Sequence, residues 1–500
     1  MGKDKLKTSA KKPKTKLKTK SKSKSKSKAS HDAPTPPKLI DFMLQGWKAP
    51  AKRVVKPISG HANFAERRAR LGDLFPGEAL VIPTGHEVVR ANDTNFRFRP
   101  GSSFFYLTGN PEADCVLLLL PKKKKGHEHI LFVEPNPGRS EPTFFTDRHK
   151  GELWVGPRLG VEESETRFAI EKCEPLSKLP EVLAELKKKK NYRVLRGLSP
   201  AIDQALPAGV KKDKALAAAL SEMRLIKDST EVRAIQKACK VTRQAFDDVV
   251  VALKTAKNER EVEGVFAHRA RVSGNDVGYN VIAATGANAC ILHWNLNNGR
   301  IKKNDLLLLD AGIETDDMYT ADITRSIPVS GKFTPAQREI YDLVRAAQVA
   351  AIDAVAPGND FLEPHRAAMK VLAEGLGELG LLPSSVEEAL APENQFYKRY
   401  TLHGTSHMLG IDVHDCADAP AERYRHGKLE PGMVLTIEPG LYFQLDDLTV
   451  PVKYRGIGIR IEDDVLVTAR GNRVLSDVPR DADDVEAWVS DLWASAEAHA

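Results

Sequence analysis

The stretch LLLLDAGIETDDMYTADITRSIP (306–328) decides how this chain is read. Four leucines, Leu306 to Leu309, are strand material and deliver a carboxylate, Asp310, at their end. A second carboxylate, Asp322, lies twelve residues on, and Thr315–Asp316–Asp317 between them are turn residues. If those three form the turn of an antiparallel hairpin, Glu314 pairs with Met318 and Asp310 faces Asp322 across the ladder. Directly opposed residues hold their Cβ atoms about 5 Å apart. Two carboxylates that close repel, and one pKa rises unless a multivalent cation sits between them. The alternative is a pair of solvated strand-end aspartates.

Working outward, HGTSHMLGIDVH (403–414) places His403, His407 and His414 within twelve residues, out of 14 histidines in the chain. The His403–His407 spacing matches one helix face, but Gly404 stands where a helical zinc motif needs Glu, and Gly404 and Gly410 weaken any helix. A loop and strand presenting imidazoles to a cleft is the better reading. LEPGMVLTIEPGLY (429–442) ends an apolar run on Glu438, stopped by Pro439 and Gly440. In GIGIRIEDDVLV (456–467), a strand puts Ile457, Ile459 and Ile461 on one face and Arg460 with Glu462 on the other. Alone, that last pair would be an ordinary salt bridge. Together, Asp310, Asp322, His407, Glu438 and Glu462 make an oxygen-rich set with one imidazole. Structural zinc sites favour Cys and His, so the set suits two divalent ions, Mn²⁺ first, with Co²⁺ or Zn²⁺ as alternatives.

The rest of the chain frames this site. Its 500 residues with 42% hydrophobic content are globular and long enough for two cores. No apolar run approaches the ~20 residues of a membrane span. The formal charge of +8 misleads: residues 1–28 carry 13 Lys and one Asp, and the remainder is net acidic. That excludes a body-wide nucleic-acid surface. Residues 1–37 form a disordered Lys/Ser-rich tail, either a solubilising segment or a weak polyanion contact to nucleic acid or anionic membrane. Five scattered cysteines without a paired motif, and no apolar stretch after the basic start, place the protein in the cytoplasm.

Residues 60–225 read as an α/β region, with a helix near Phe64–Leu74 and buried strands near Gly77–Pro83 and Cys115–Leu120. At Asp228 and Glu231 a capping box opens a long helix, with Val232, Ile235, Cys239, Thr242, Phe246 and Val249 along one face. The boundary falls there, and a second region of 228–490 holds strands, two further helices and nearly all the suspicious polar residues. One of those helices starts at Thr334, with Pro335 and Gln337 behind it.

These segments, with YNVIAATGANACILHW (279–294) and RPGSSFFYLTGNPEADCVLLL (99–119), resemble the aminopeptidase P branch of the pita-bread metallopeptidases. The resemblance implies an α/β (α+β) fold, a creatinase-like N-terminal domain followed by a pita-bread catalytic domain. It implies a dinuclear metallohydrolase that releases the N-terminal residue from peptides with proline second, through a hydroxide shared by two ions. The order Asp, Asp, His, Glu, Glu is that of the family's ligands. The resemblance further implies Glu438 as the proton shuttle, His403, His414 and His293 as donors lining the pocket, and Asp310 as the partner of the substrate amine. Arg460 and Tyr442 would support the site from behind. A homodimer or homotetramer is usual in the family, and Trp154 would reach a neighbouring subunit. The two aspartates lie one residue further apart than is usual, which puts the extra residue in the turn. A prolidase acting on Xaa-Pro dipeptides is the alternative enzyme, and a non-catalytic binder on the same fold is the alternative class.

Overall fold

The structure, a computed structural model, describes residues 35–48, 53–92, 94–136 and 138–499. The expected tail lies outside these through residue 34, and its last residue, Pro37, instead opens the short helix Pro37–Met43. The chain divides into a small unit of 1–52 with 137–158 and a large unit of 53–136 with 159–500. The small unit holds short helices around Phe144 and Phe145, which are buried. Trp154 is 49% exposed, and its indole N–H donates to the Phe145 carbonyl at 2.7 Å.

Within the large unit, five strands between residues 79 and 194 build a mixed sheet. Its order is Lys172–Pro175, His127–Val133, Val116–Pro121, Ala79–Pro83, Tyr192–Val194. Alternate residues of the three central strands enter different cores. Leu80, Ile82, Leu117 and Leu119 pack with the helices His61–Leu74, Ser102–Thr108 and Val210–Leu225. Val81, Val116, Leu118 and Phe132 pack with Leu179–Lys189 and Pro200–Ala205. Burial on both faces explains why these strands are continuous apolar runs without polar alternation.

The predicted capping box is present. Asp228 Oδ1 accepts the Glu231 N–H at 3.0 Å, and the Asp228 N–H donates to Glu231 Oε2 at 3.0 Å, opening the helix Ser229–Leu253. A second box, between Thr334 and Gln337, opens Pro335–Asp353. More helices follow than the two expected: Glu259–Ser273, Glu363–Glu378 and Ala482–Ala498 are also long. The first buries only Glu259, Val262, Phe266 and Ala270, so its apolar stripe is thin and easily overlooked. One continuous core runs from Leu71 to Val489. Regions 60–225 and 228–490 therefore fall in one compact unit, residues 137–158 apart.

Two small sheets carry the acidic segments. One orders Ile323–Pro328, Leu306–Ala311 and Ile282–Thr285; the other orders Val434–Ile437, Asp463–Thr468 and Gly471–Val474. Gly440–Tyr442 pairs with Gly458–Arg460. Isolated bridges Thr324–Glu462 and Met408–Leu435 tie these pieces together.

The hairpin register differs from the expectation. Asp310 lies opposite Thr324, and Glu314 opposite Thr320 rather than Met318. The Thr315 N–H donates to the Tyr319 carbonyl at 3.0 Å, leaving a three-residue loop of Asp316, Asp317 and Met318. Met318 takes a left-handed φ of 62°. Three-residue loops close on such a residue, but methionine is no turn signal, so the sequence could not show it. Asp322 is thus diagonal to Asp310 and on the same face of the ladder. The expected strand of 457–462 is also interrupted. It ends at Arg460, and Glu462 turns from the Gly440 hairpin to Thr324.

Candidate metal centre

Strand ends and loops meet in a cavity of about 340 Å³ lined by Asp310, Asp322, His403, His407, Glu438 and Glu462. His293 and His414 line it too, with Tyr279, Asn280, Asn295 and Arg460. All the site residues expected from the sequence therefore share one cavity. Segment 401–419 contains neither helix nor strand, so the imidazoles are presented by a loop.

Tyr279 donates one hydroxyl between the aspartates, 2.7 Å from Asp310 Oδ1 and 2.5 Å from Asp322 Oδ1. Asp322 Oδ2 lies 3.3 Å from His407 Nε2, which is 3.6 Å from Glu438 Oε1. Asp322, His407 and Glu462 each offer a donor atom within 4.8 Å of the others. Glu462 Oε2 accepts the Thr324 hydroxyl at 2.6 Å.

A hydrogen-bond chain runs behind this cluster. Arg460 donates to Asp310 Oδ2 at 2.5 Å, to Thr324 Oγ1 at 3.2 Å and to the Tyr442 hydroxyl at 2.9 Å. The Tyr442 hydroxyl lies 2.7 Å from His403 Nε2, and His403 Nδ1 faces the Gly404 carbonyl at 2.9 Å and Glu438 Oε2 at 3.4 Å. Nδ1 faces only acceptors, so it carries a proton, while Nε2 lies against the Tyr442 hydroxyl. Both His403 nitrogens are thereby engaged within the protein. Gly440 leaves room for this chain, since a Cβ there would sit 2.5 Å from the Tyr442 oxygen.

The electrostatics ask for a cation. Burial, then the charges of Asp310 and Asp464, push Asp322 well above the usual carboxylate range. Burial, then Asp322, Glu438 and Asp310, do the same to Glu462. Burial would raise Glu438 as well, but the hydrogen bond and charge of His403, with His407 and Arg460, hold it down to about 2. One guanidinium cannot neutralise four carboxylates gathered this closely, and divalent ions would. The donor set, four carboxylates and an imidazole, fits such ions.

Tyr279 and Thr324 carry contacts that sequence reasoning did not assign. Tyr279 opens the quoted string 279–294, yet nothing local marks it, because its partners lie 31 and 43 residues away.

The comparisons agree with this site. The pattern of Metallopeptidase family M24 matches residues 233–469, and that of the Aminopeptidase P N-terminal domain matches 64–195. Xaa-Pro aminopeptidase 1 of Streptomyces coelicolor is 48% identical over 461 residues, covering 91% of this chain and 92% of the relative. The Xaa-Pro aminopeptidase of Escherichia coli is 33% identical, covering 84% and 96%. The low-pH structure of aminopeptidase P from E. coli superposes with a TM-score of 0.78 at 32% identity, covering 87% of this chain and 99% of that one. The mixed helix-and-sheet architecture is that of the same fold. The chain belongs to metallopeptidase family M24, in its aminopeptidase P branch.

Proposed function

We propose that this metallo-exopeptidase removes the N-terminal residue from peptides whose second residue is proline. Asp310, Asp322, His407, Glu438 and Glu462 would hold two divalent ions, with Mn²⁺ favoured by the hard oxygen donors and Co²⁺ or Zn²⁺ as substitutes. When bound, the ions supply Lewis-acid activation of water and of the scissile carbonyl. The observation that carries this reading is the gathering of these five side chains, from four segments of the chain, in one cavity.

The chain's own groups would do the rest. Glu438, kept ionised by His403, takes a proton from the attacking water and returns it to the prolyl nitrogen. His403 faces both Glu438 and the cavity, so it would orient that carboxylate and stand near the substrate carbonyl as a donor. His414 and His293 face the cavity and would donate to the carbonyl oxygen as charge develops there. The imino bond needs its own enzyme because proline's amide has no N–H and its ring is rigid. The organisation read here is an N-terminal domain of 60–225 and a catalytic domain of 228–490, assembled as a homo-oligomer. No helix among the described residues is long and apolar enough to cross a membrane.

The test is a peptide panel on purified protein supplied in turn with Mn²⁺, Co²⁺ and Zn²⁺. Release of the first residue from Xaa-Pro-Xaa is expected. Cleavage of Xaa-Pro dipeptides alone would make the enzyme a prolidase. No turnover with any ion would leave a binding protein.

A further inference from the structure

Glu259, which opens the helix Glu259–Ser273, is fully buried at 0% exposure and lies outside the cavity lining. Its carboxylate nonetheless gathers five hydrogen bonds. Oε1 accepts the Thr285 N–H at 2.7 Å, the Thr285 hydroxyl at 2.9 Å and Asn288 Nδ2 at 2.9 Å. Oε2 accepts the Trp294 indole N–H at 2.8 Å and the Gly299 N–H at 2.6 Å. The Glu259 N–H in turn donates to the Gly299 carbonyl at 3.0 Å.

All these partners lie in segment 285–299. That segment leaves the strand Ile282–Thr285, whose Ile282 stands opposite Asp310, and it carries His293 to the cavity. From 291 to 299 it has no helix or strand, and Ile291 and Leu296 are 47% and 61% exposed. Leu292 and Trp294 pack partly against a small cluster around Cys290 and Leu308, and polar anchors must hold the rest. Asn297 closes the far side, accepting the Ala283 N–H and donating to the Val281 carbonyl. The residue beside His293, Trp294, is tied directly to Glu259.

We propose that Glu259 is a positioning residue for the reaction: its carboxylate sets the course of segment 285–299 and so holds the His293 imidazole at the cavity wall. This rests on the reading of His293 as a substrate-facing donor. Charge is needed as well as shape. The partners of Oε2 are N–H groups that can only donate, and so is the Thr285 N–H at Oε1. A glutamine, in either flip, turns its own N–H₂ towards at least one such donor.

The test is a double-mutant cycle on the metal-loaded enzyme with an Xaa-Pro-Xaa peptide, measuring kcat, KM and bound metal. Glu259→Gln is expected to lower kcat/KM about tenfold to 100-fold while metal content holds, the cost of a misplaced catalytic group. In the His293→Ala background the same change should cost less than about twofold, because coupled residues are non-additive. Glu259→Gln should also red-shift tryptophan emission, and the shift should vanish in a Trp294→Phe background. Should Glu259→Gln fail to fold, Trp294→Phe removes a single bond of the five, and its smaller loss should likewise be absorbed by His293→Ala. Losses that multiply in the double variant, or full turnover of Glu259→Gln, overturn the proposal. Full turnover of His293→Ala overturns it together with the donor reading of His293, and is told apart because that single variant alone reports it.

Discussion

Arg460 Nη2 lies 2.5 Å from Asp310 Oδ2, and the same guanidinium reaches Tyr442 at 2.9 Å. Through Tyr442 and His403 this contact extends to Glu438, so the two ends of the acidic cluster are linked by protein hydrogen bonds. The chain should tune Glu438. Tyr442→Phe removes two of its bonds, at about 1–1.5 kcal/mol in all after packing is kept. The expected result is a kcat near one tenth of the parent's, with metal stoichiometry unchanged. An unaltered kcat would show that His403 is oriented by other means.

Tyr279 holds Asp310 and Asp322 with one hydroxyl. Partners of this kind typically cost 10–100-fold in metal affinity when removed, here taken as about 30-fold. Tyr279→Phe should therefore release metal at lower chelator concentration and recover rate at high Mn²⁺. Chelator titration followed by assay separates this from a direct catalytic defect, in which added metal would restore nothing.

His414 packs edge-on against His407, ring centroids 4.4 Å apart, and faces the cavity. His414→Ala is expected to keep its metal and lose about 100-fold or more in kcat, the scale of a missing oxyanion donor. By contrast, Asp322→Ala and Glu462→Ala should lose metal and activity together. Elemental analysis beside steady-state kinetics distinguishes the two patterns.

Gly312 sits between the metal-side aspartates, and a Cβ there would lie 1.7 Å from the Ala321 carbonyl oxygen. The group it meets is backbone and cannot swing aside, so the hairpin must spread. Gly312→Ala should destabilise by about 3 kcal/mol, as overpacking does, and abolish metal binding. A thermal melt with and without Mn²⁺ reads both effects; a metal-dependent rise in Tm equal to the parent's would count against the tight hairpin.

His129, on the strand His127–Val133, is buried. Burial, then the positive Arg68, bring its pKa from 6.5 down to about 4. The fold thus prefers the neutral ring. That contribution to stability is complete above the unfolded value and is lost as pH falls from 6.5 towards 4. His129→Gln should show a smaller drop in Tm between pH 7 and pH 5 than the parent does. Parallel declines would place the acid sensitivity elsewhere.

Much of the site was legible because its signals are local. A capping box needs only Asp228 and Glu231, three residues apart, and Asp310 and Glu438 each end an apolar strand that any reading of hydrophobic runs picks out. The hairpin register was not legible, because it turns on the left-handed backbone of Met318. Nor was the engagement of His403 on both nitrogens, since its partner Tyr442 lies 39 residues on.

Residue order alone determined the strands, the capped helices and the identity of the acids and imidazoles that end them, because propensity, capping and alternation act over a few neighbouring residues. Only the tertiary structure decided which of those groups meet. Arg460 and Asp310 are 150 residues apart, and Glu259 reaches segment 285–299 across the whole of its own helix and the strand that follows. Such contacts depend on register and on the packing of a shared core, and a buried charge must find its partners wherever the fold brings donors to it.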